Sequence, residues 1–221
     1  YVNKVGGCGV QQLGQLFVLQ SPHQIVFDNN GDIRWYLSEN WSTKSLESDS
    51  SYPMCLDGDG VGFYFVRNPL TGSVYNSGDE LVHMTWMGKI EQIVSNPAIT
   101  PDHDLALVDD DTVLYIQEGM SSQNAAIWQL DLNTGEAQPW LKMTDILDES
   151  IAPSYADAWD DVWHINSIQY LPEDGSLLIS LRNQSMVIKV DANSREVEWA
   201  FTPASGYNAD GSTWARQEAV S

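Results

Sequence analysis

Residues 165–201 read INSIQYLPEDGSLLISLRNQSMVIKVDANSREVEWAF. Apolar and polar residues alternate in short runs through this stretch, which is the pattern of half-buried β-strands. The turn sequences Pro-Glu-Asp-Gly at 172–175 and Asn-Ser-Arg-Glu at 193–196 each separate two such runs. The stretch therefore predicts two consecutive hairpins that form one four-stranded antiparallel sheet.

The second of these hairpins has counterparts earlier in the chain, each a strand, a tight turn and a second strand that often carries Trp. The counterparts occupy residues 25–37, 81–94 and 127–141. The four turns recur every 47 to 60 residues and are centred on Gly31, Gly88, Gly135 and Arg195. Glycine readily adopts the positive φ that such turns need, so the arginine in the last turn is expected to cost some strain.

A full unit also needs a preceding hairpin, and one is clear at residues 104–117. A weaker one begins at residues 62–66, and we expect the segment around Val74 to be its second strand. Four-stranded antiparallel units at this period are typical of β-propeller blades.

We therefore predict an all-β protein, a β-propeller of which this chain covers about three to four four-stranded blades. The earliest blade is represented only by its outer half at residues 25–37. Residues 1–22 are predicted to be a lead-in segment, and residues 23–221 a partial propeller domain. Because a propeller must close to bury its blade faces, we expect a fragment of a longer chain; an unusually small closed propeller is the alternative.

Charge and cysteine content limit the partners and the compartment. The 221 residues include 31 acidic and 10 basic ones, a formal net charge of −21. Nucleic acids and anionic membrane surfaces require clustered basic residues, and no apolar run is long enough to span a bilayer. We therefore expect no nucleic-acid partner and no membrane span. Cys8 and Cys55 are the only cysteines, and their spacing fits a disulfide and two buried thiols equally well.

Two histidines head the innermost strands of adjacent blades. His103 lies 32 residues before the turn glycine of its blade, and His164 lies 31 residues before Arg195. Inner strands line the channel of a propeller, so both imidazoles are expected at the same channel mouth. Folding the later hairpin places His164 opposite about residue 183 and returns Arg182 beside it. An arginine there is a candidate anion clamp, and a surface arginine paired with a carboxylate is the alternative.

Two polar neighbours of these histidines are further candidates. Asn166 follows His164 by two residues and is expected on the same face, where it could orient the imidazole or donate to an oxyanion. A strand-end asparagine that satisfies the backbone is the alternative. Asp104 follows His103 directly and could fix the tautomer of that imidazole, although turn aspartates are equally common at strand ends.

The sequence Asp161-Val-Trp-His164-Ile-Asn-Ser, followed by Ser176-Leu-Leu-Ile-Ser-Leu-Arg182, resembles the arylsulfate sulfotransferase family. The His103-Asp104 pair at the head of a strand and the stretch FDNNGDIRWY at 27–36 extend the resemblance, which runs from about residue 23 to residue 201. Members are exported six-bladed propellers that move a sulfuryl group from a phenolic sulfate ester to a phenol through a sulfated histidine, without a nucleotide sulfate donor.

The resemblance implies a site and its partners. His103, His164 and Arg182 match the family's sulfate pocket as catalytic residues. Asn166 and Asp104 are expected to bind substrate because of their positions beside the two histidines, and not because of the resemblance. The partners are a small-molecule aryl sulfate donor and a phenolic acceptor, with no cofactor and no metal. A periplasmic or secreted location is expected, and a homodimer is left open. The nucleophilic histidine of the family heads a later blade, so we expect it beyond residue 221.

Two other functions compete with this one. A propeller that only binds or acts as a scaffold is the first, because propellers host many functions and we expect the family's nucleophilic histidine outside residues 1–221. A metal-dependent hydrolase that uses His103, His164 and a nearby aspartate is the second. Arg182 beside His164 opposes the second, because a fixed cation repels a metal ion.

Overall fold

The computed structural model describes residues 2–3, 10–13, 16–19, 25–36, 54–57, 62–67, 80–96, 101–117, 126–147 and 163–201. In these residues the chain is almost entirely β, with 17 strands and one short helix, α1 (Met143–Ile146). The strands form four antiparallel sheets that follow one another in chain order, as the repeat predicts.

The first sheet contains more strands than the sequence predicts. It has the order β1-β2-β3-β4-β5, with β1 (Val2–Asn3), β2 (Val10–Leu13), β3 (Leu16–Leu19), β4 (Ile25–Asp28) and β5 (Ile33–Tyr36). Only β4 and β5 correspond to the predicted outer half of a blade. Because β3 pairs with β4 along its whole length, the predicted boundary between residues 22 and 23 falls between two paired strands of one sheet.

The second sheet corrects one predicted hairpin. It consists of β6 (Met54–Leu56), β7 (Gly62–Arg67), β8 (Glu80–Thr85) and β9 (Ile90–Ser95), in that order. The pairing of β7 with the segment around Val74 is wrong, because β6 and β8 occupy both edges of β7. The sequence DGDG at 57–60 lies between β6 and β7 and has a composition that favours turns. Val74 itself lies outside the described residues.

The third and fourth sheets match the predicted units. The third has the order β10 (Pro101–Asp109), β11 (Thr112–Gln117), β12 (Ala126–Asp131) and β13 (Ala137–Lys142). The fourth has the order β14 (Ile165–Leu171), β15 (Ser176–Leu181), β16 (Met186–Asp191) and β17 (Val197–Phe201). In each sheet the first strand along the chain lies at one edge, where a propeller has its innermost strand.

Successive sheets pack face to face through three clusters of buried side chains. Between the first and second sheets, Phe63 and Met84 are almost fully buried, and Trp35 and Trp86 meet edge to face with centroids 5.3 Å apart. The cluster between the second and third sheets, and the larger one between the third and fourth, consist mainly of Leu, Ile and Val. The innermost strands β6, β10 and β14 are neighbours in that order. Burial of each large aliphatic side chain contributes about 1.5–3 kcal/mol, so these interfaces fix the relative positions of the innermost strands.

The tight turns of the outer hairpins are held by an aspartate that closes on its own backbone. Asp131 Oδ1 accepts hydrogen bonds from the amides of Asn133 and Thr134, at 2.9 and 2.8 Å. Asp28 and Asp191 make the equivalent contacts in the first and fourth sheets. Hydrogen bonds from the backbone amides are the main cause that lowers the pKa of Asp131 and of Asp191.

Arg195 carries the strain that its position predicts, and this gives a first testable outcome. Its φ is +61°, in the left-handed region that Gly135 occupies in the preceding sheet with φ +73°. Its guanidinium lies 5.6 Å from the ring centroid of Trp140. Arg195→Gly and Arg195→Ala both lose that contact, but only glycine relieves the backbone, so we expect the glycine variant to be more stable by about 1 kcal/mol.

Urea unfolding of the two Arg195 variants measures this difference. Gly135→Ala is the matched control and should lose about 1 kcal/mol for the same backbone reason alone, because the added Cβ would lie 3.4 Å from Val94 Cγ1, an ordinary van der Waals contact. Equal stability of the glycine and alanine variants at residue 195 would show that the left-handed backbone is not costly there.

Candidate functional site

A bulge with two extra residues turns His103 out of the regular ladder of β10. Pro101 pairs with Gln117 and Leu105 with Tyr115, so three residues of β10 lie opposite a single residue of β11. His103 is the middle one of the three, with φ +57°. Bulges redirect side chains, and a left-handed histidine costs about 1–2 kcal/mol that the surrounding structure must supply.

His164 has the same unusual backbone at the equivalent place of the next sheet. Its φ is +44°, and it directly precedes β14. Trp163, just before it, is only 1% exposed and belongs to the core between the third and fourth sheets. The buried indole therefore anchors the backbone from which the His164 imidazole projects.

A one-residue bulge in β14 corrects the predicted register. Ile165 pairs with Leu181 but Ser167 pairs with Ser180, so Asn166 is an extra residue. The amide of Arg182 donates to the carbonyl of His164 at 3.0 Å, which makes Arg182, and not residue 183, the partner of His164. The bulge also removes the regular alternation that predicted Asn166 and His164 on one face. Asn166 is partly exposed.

The structure brings His103, His164 and Arg182 together. The two imidazole rings are 5.2 Å apart between centroids, at an interplanar angle of 48°. Arg182 Nη1 lies 3.1 Å from His164 Nε2. A guanidinium has donors and no acceptor, so in this contact Nε2 accepts and the proton of a neutral imidazole resides on Nδ1.

The guanidinium of Arg182 has donors left for a ligand. Its Nε is buried and has no hydrogen-bond partner among the residues that the structure describes. No carboxylate in the described ranges forms an ion pair with Arg182, so those ranges do not contain the surface ion pair that was the alternative. Two imidazoles and a partly buried cation with an unused N–H form a small site suited to an oxyanion.

Asp104 is turned toward the backbone of two strands. It is 1% exposed, and its Oδ1 accepts from the amide of Leu105 at 2.9 Å. Its Oδ2 accepts from the amide of Ile168 in β14 at 3.0 Å. Burial raises the pKa of Asp104 to about 8, and the two amide hydrogen bonds partly oppose that rise. Both carboxyl oxygens of Asp104 therefore accept hydrogen bonds from the backbone. Neither of these two bonds involves the imidazole of His103.

Three further expectations concern metals, membranes and cysteines. No group of three or more His, Cys, Asp or Glu is placed to hold a metal ion within the described ranges. The described residues contain no helix that is long and apolar enough to cross a bilayer. Cys55 is buried, and Cys8 lies outside the described residues, so their pairing stays a prediction.

Solved structures with low sequence identity share the fold. The WD40 β-propeller domain of Doa1 has 12% identity and a TM-score of 0.50, over 90% of this chain and 54% of that one. A luciferin-regenerating enzyme has 13% identity and a TM-score of 0.51, over 86% and 59%. A chain of a nidogen/laminin complex has 10% identity and a TM-score of 0.51, over 85% and 59%. The likeness confirms the β-propeller fold alone, and this chain spans between half and three-fifths of the length of these structures.

The family is shown by the sequence itself. No curated protein matches the chain. The model of the family described as arylsulfotransferase (ASST) matches residues 11–215, a range that includes both histidines of the site and Arg182. Since that match covers far more than half of the 221 residues, the chain belongs to the arylsulfotransferase family.

Proposed function

We propose that His103, His164 and Arg182 bind the sulfuryl group of an aryl sulfate and stabilise it during transfer to a phenolic acceptor. Membership of the arylsulfotransferase family supports aryl sulfotransferase activity in general. The observation that carries the finer proposal is the 3.1 Å contact between Arg182 Nη1 and His164 Nε2, beside a second imidazole. It puts a fixed cation beside two imidazoles, and these are the kinds of group that bind an oxyanion.

Catalysis of sulfuryl transfer depends mainly on positioning of the reactants and on stabilisation of the charge that develops in the transition state. In the first step the S–O bond of the ester breaks, the phenolate leaves, and an S–N bond forms to a histidine. In the second step a phenol oxygen attacks sulfur, the S–N bond breaks, and the phenolic proton passes to a base. The transferring SO₃ group carries negative charge on its oxygens, much as a phosphoryl group does, so hydrogen-bond donors and cations lower the barrier.

Each residue has a role in this proposal. Arg182 holds the sulfuryl oxygens through its remaining N–H groups. His103 and His164 donate to the same oxygens, and one of them protonates the departing phenolate. Asn166 adds a carboxamide donor from the bulge of β14. The nucleophile of the first step is a further histidine of the protein, distinct from His103 and His164.

Mass spectrometry of the intact protein tests this function. Incubation with an aryl sulfate in the absence of acceptor should add one SO₃ group to a histidine, and a phenol added later should remove it and become sulfated. A nucleotide sulfate donor is the control and should leave no adduct. Absence of both adduct and sulfated phenol would favour the scaffold function, and a label on His103 or His164 would contradict a nucleophile distinct from these two histidines.

We also propose export to the periplasm or the cell exterior, with small-molecule donor and acceptor and no cofactor. The basis is family membership together with the formal charge of −21, which opposes binding to nucleic acid. Fractionation of cells that produce the protein should recover it outside the cytoplasm. Recovery in the cytoplasm alone would contradict this part of the proposal.

A further inference from the structure

The innermost strand of the fourth sheet has one unpaired edge, and Asp104 binds to it. β14 pairs with β15 on one side only, so the amides on its other edge have no strand partner in the sheet. One of them, the amide of Ile168, donates to Asp104 Oδ2 at 3.0 Å. Asp104 belongs to β10, so this side chain joins the innermost strands of two adjacent sheets across a sequence separation of 64 residues.

The other carboxyl oxygen fixes the bulge that carries His103. Oδ1 of Asp104 accepts from the amide of Leu105, the residue at which regular pairing with β11 resumes. The carboxyl group is 1% exposed, so water does not compete for these bonds. Left-handed histidines persist only where the surrounding structure holds them, and Asp104 is the residue that follows one of them.

We propose that Asp104 is a positioning residue that sets the separation of the His103 and His164 imidazoles. It ties the bulge that carries His103 to β14, the strand that His164 heads. This role differs from the substrate contact expected for Asp104, since each of its oxygens accepts a hydrogen bond from a backbone amide. The consequence for sulfuryl transfer rests on the proposed function, whereas the effect on the two imidazoles does not.

Removal of the Asp104 carboxyl group should increase the separation of the His103 and His164 imidazoles or make that separation variable. In Asp104→Ala the amides of Leu105 and Ile168 lose their acceptor, and the bulge loses its tie to β14. We expect kcat for transfer from an aryl sulfate to fall about 100-fold, because misplacement of catalytic groups by about 1 Å has that effect. KM for the donor should change little, because Arg182 still binds it.

A second readout does not depend on activity. In NMR spectra of Asp104→Ala, the imidazole resonances of both His103 and His164 should shift. Hydrogen exchange at the Ile168 amide should accelerate at least roughly tenfold, while Ile188 in the same sheet keeps its rate. Asp104→Asn keeps the side-chain volume and one acceptor oxygen, so its kcat and its exchange rate should lie between those of the wild type and the alanine variant.

Asp131→Ala is the matched control, because Asp131 also accepts two backbone amides but within a single turn of the third sheet. It should leave the imidazole resonances and kcat unchanged. Unshifted imidazole resonances in folded Asp104→Ala, or in Asp104→Asn if the alanine variant does not fold, would overturn the proposal, and so would equal shifts in the control. Shifted resonances in a protein that has no sulfuryl-transfer activity would support the positioning role and reject the proposed function.

Discussion

Replacement of Arg182 by alanine is expected to lower kcat for transfer from an aryl sulfate by about 10²–10³-fold, the usual cost of losing one donor to a developing oxyanion. Two interactions of the Arg182 guanidinium are lost in this variant. The sulfuryl oxygens lose a fixed cation, and Nε2 of His164 loses the donor that lies 3.1 Å away. The imidazole then no longer has its orientation fixed from that side.

Lysine at the same position separates charge from geometry. Arg182→Lys keeps a positive charge but loses the planar fork of N–H donors. One ammonium cannot reproduce both the bond to His164 and the bonds to the sulfuryl oxygens at their original angles. We therefore expect only partial recovery, with kcat still roughly tenfold or more below that of the wild type, the effect of one lost hydrogen bond to a charged group.

Arg34→Ala is the control for general loss of positive charge. Arg34 is exposed and forms its ion pairs with Asp28 and Asp32, in the first sheet. Exposed ion pairs contribute little to stability, so this variant should keep wild-type kcat and KM. Steady-state assays with an aryl sulfate donor and a phenolic acceptor measure all three variants. Wild-type turnover by Arg182→Ala would remove Arg182 from the mechanism.

The repeat was predictable because its signals are local. Alternating apolar residues and turn glycines lie within a few residues of one another, and they located β12 and β16 and the turns that follow them. The strands β2 and β3 were not predicted, because four residues each carry too little periodicity to stand out. The partner of β7 was misplaced for a related reason, since β6 has only three residues.

The site was predictable only as far as regular strand pairing reaches. Folding the hairpin of β14 and β15 brought Arg182 beside His164, but the extra residue Asn166 shifted the register by one. A bulge leaves no periodic pattern in the sequence. A histidine, unlike a glycine, does not indicate that its position has a positive φ. The contact from Asp104 to Ile168 depends on how two sheets pack, which a single sequence does not encode locally.

Stability of the protein is expected to fall as the pH rises from about 4 to about 8, because Asp104 is buried. Burial raises its pKa to about 8, from an ordinary value of 3.8. Between these two values the folded protein holds a proton that the unfolded chain has released, so unfolding becomes easier as the pH rises. The contribution is complete below about pH 4 and lost above about pH 8, with a slope of about 1 kcal/mol per pH unit.

Asp104→Asn isolates this contribution, since the carboxamide does not titrate. Urea unfolding at several values between pH 4 and pH 8 should show a flatter dependence than in the wild type. The variant should be least stable relative to the wild type at the acidic end, where the wild type has its full contribution. The other charged groups are common to both proteins and cancel in the difference.

Asp131→Asn is the control, because it removes a carboxyl group whose pKa is lowered by its backbone hydrogen bonds. A lowered pKa contributes stability that is present above the unfolded value and lost only as the pH falls through the folded one. Loss of the Asp131 carboxyl group therefore changes the pH dependence of the free energy of unfolding only below about pH 4. Between pH 4 and pH 8, Asp131→Asn should show the same pH dependence as the wild type. Parallel curves for the wild type and Asp104→Asn across this range would mean that the buried carboxyl group of Asp104 is already ionised in the folded protein, held by the amides of Leu105 and Ile168.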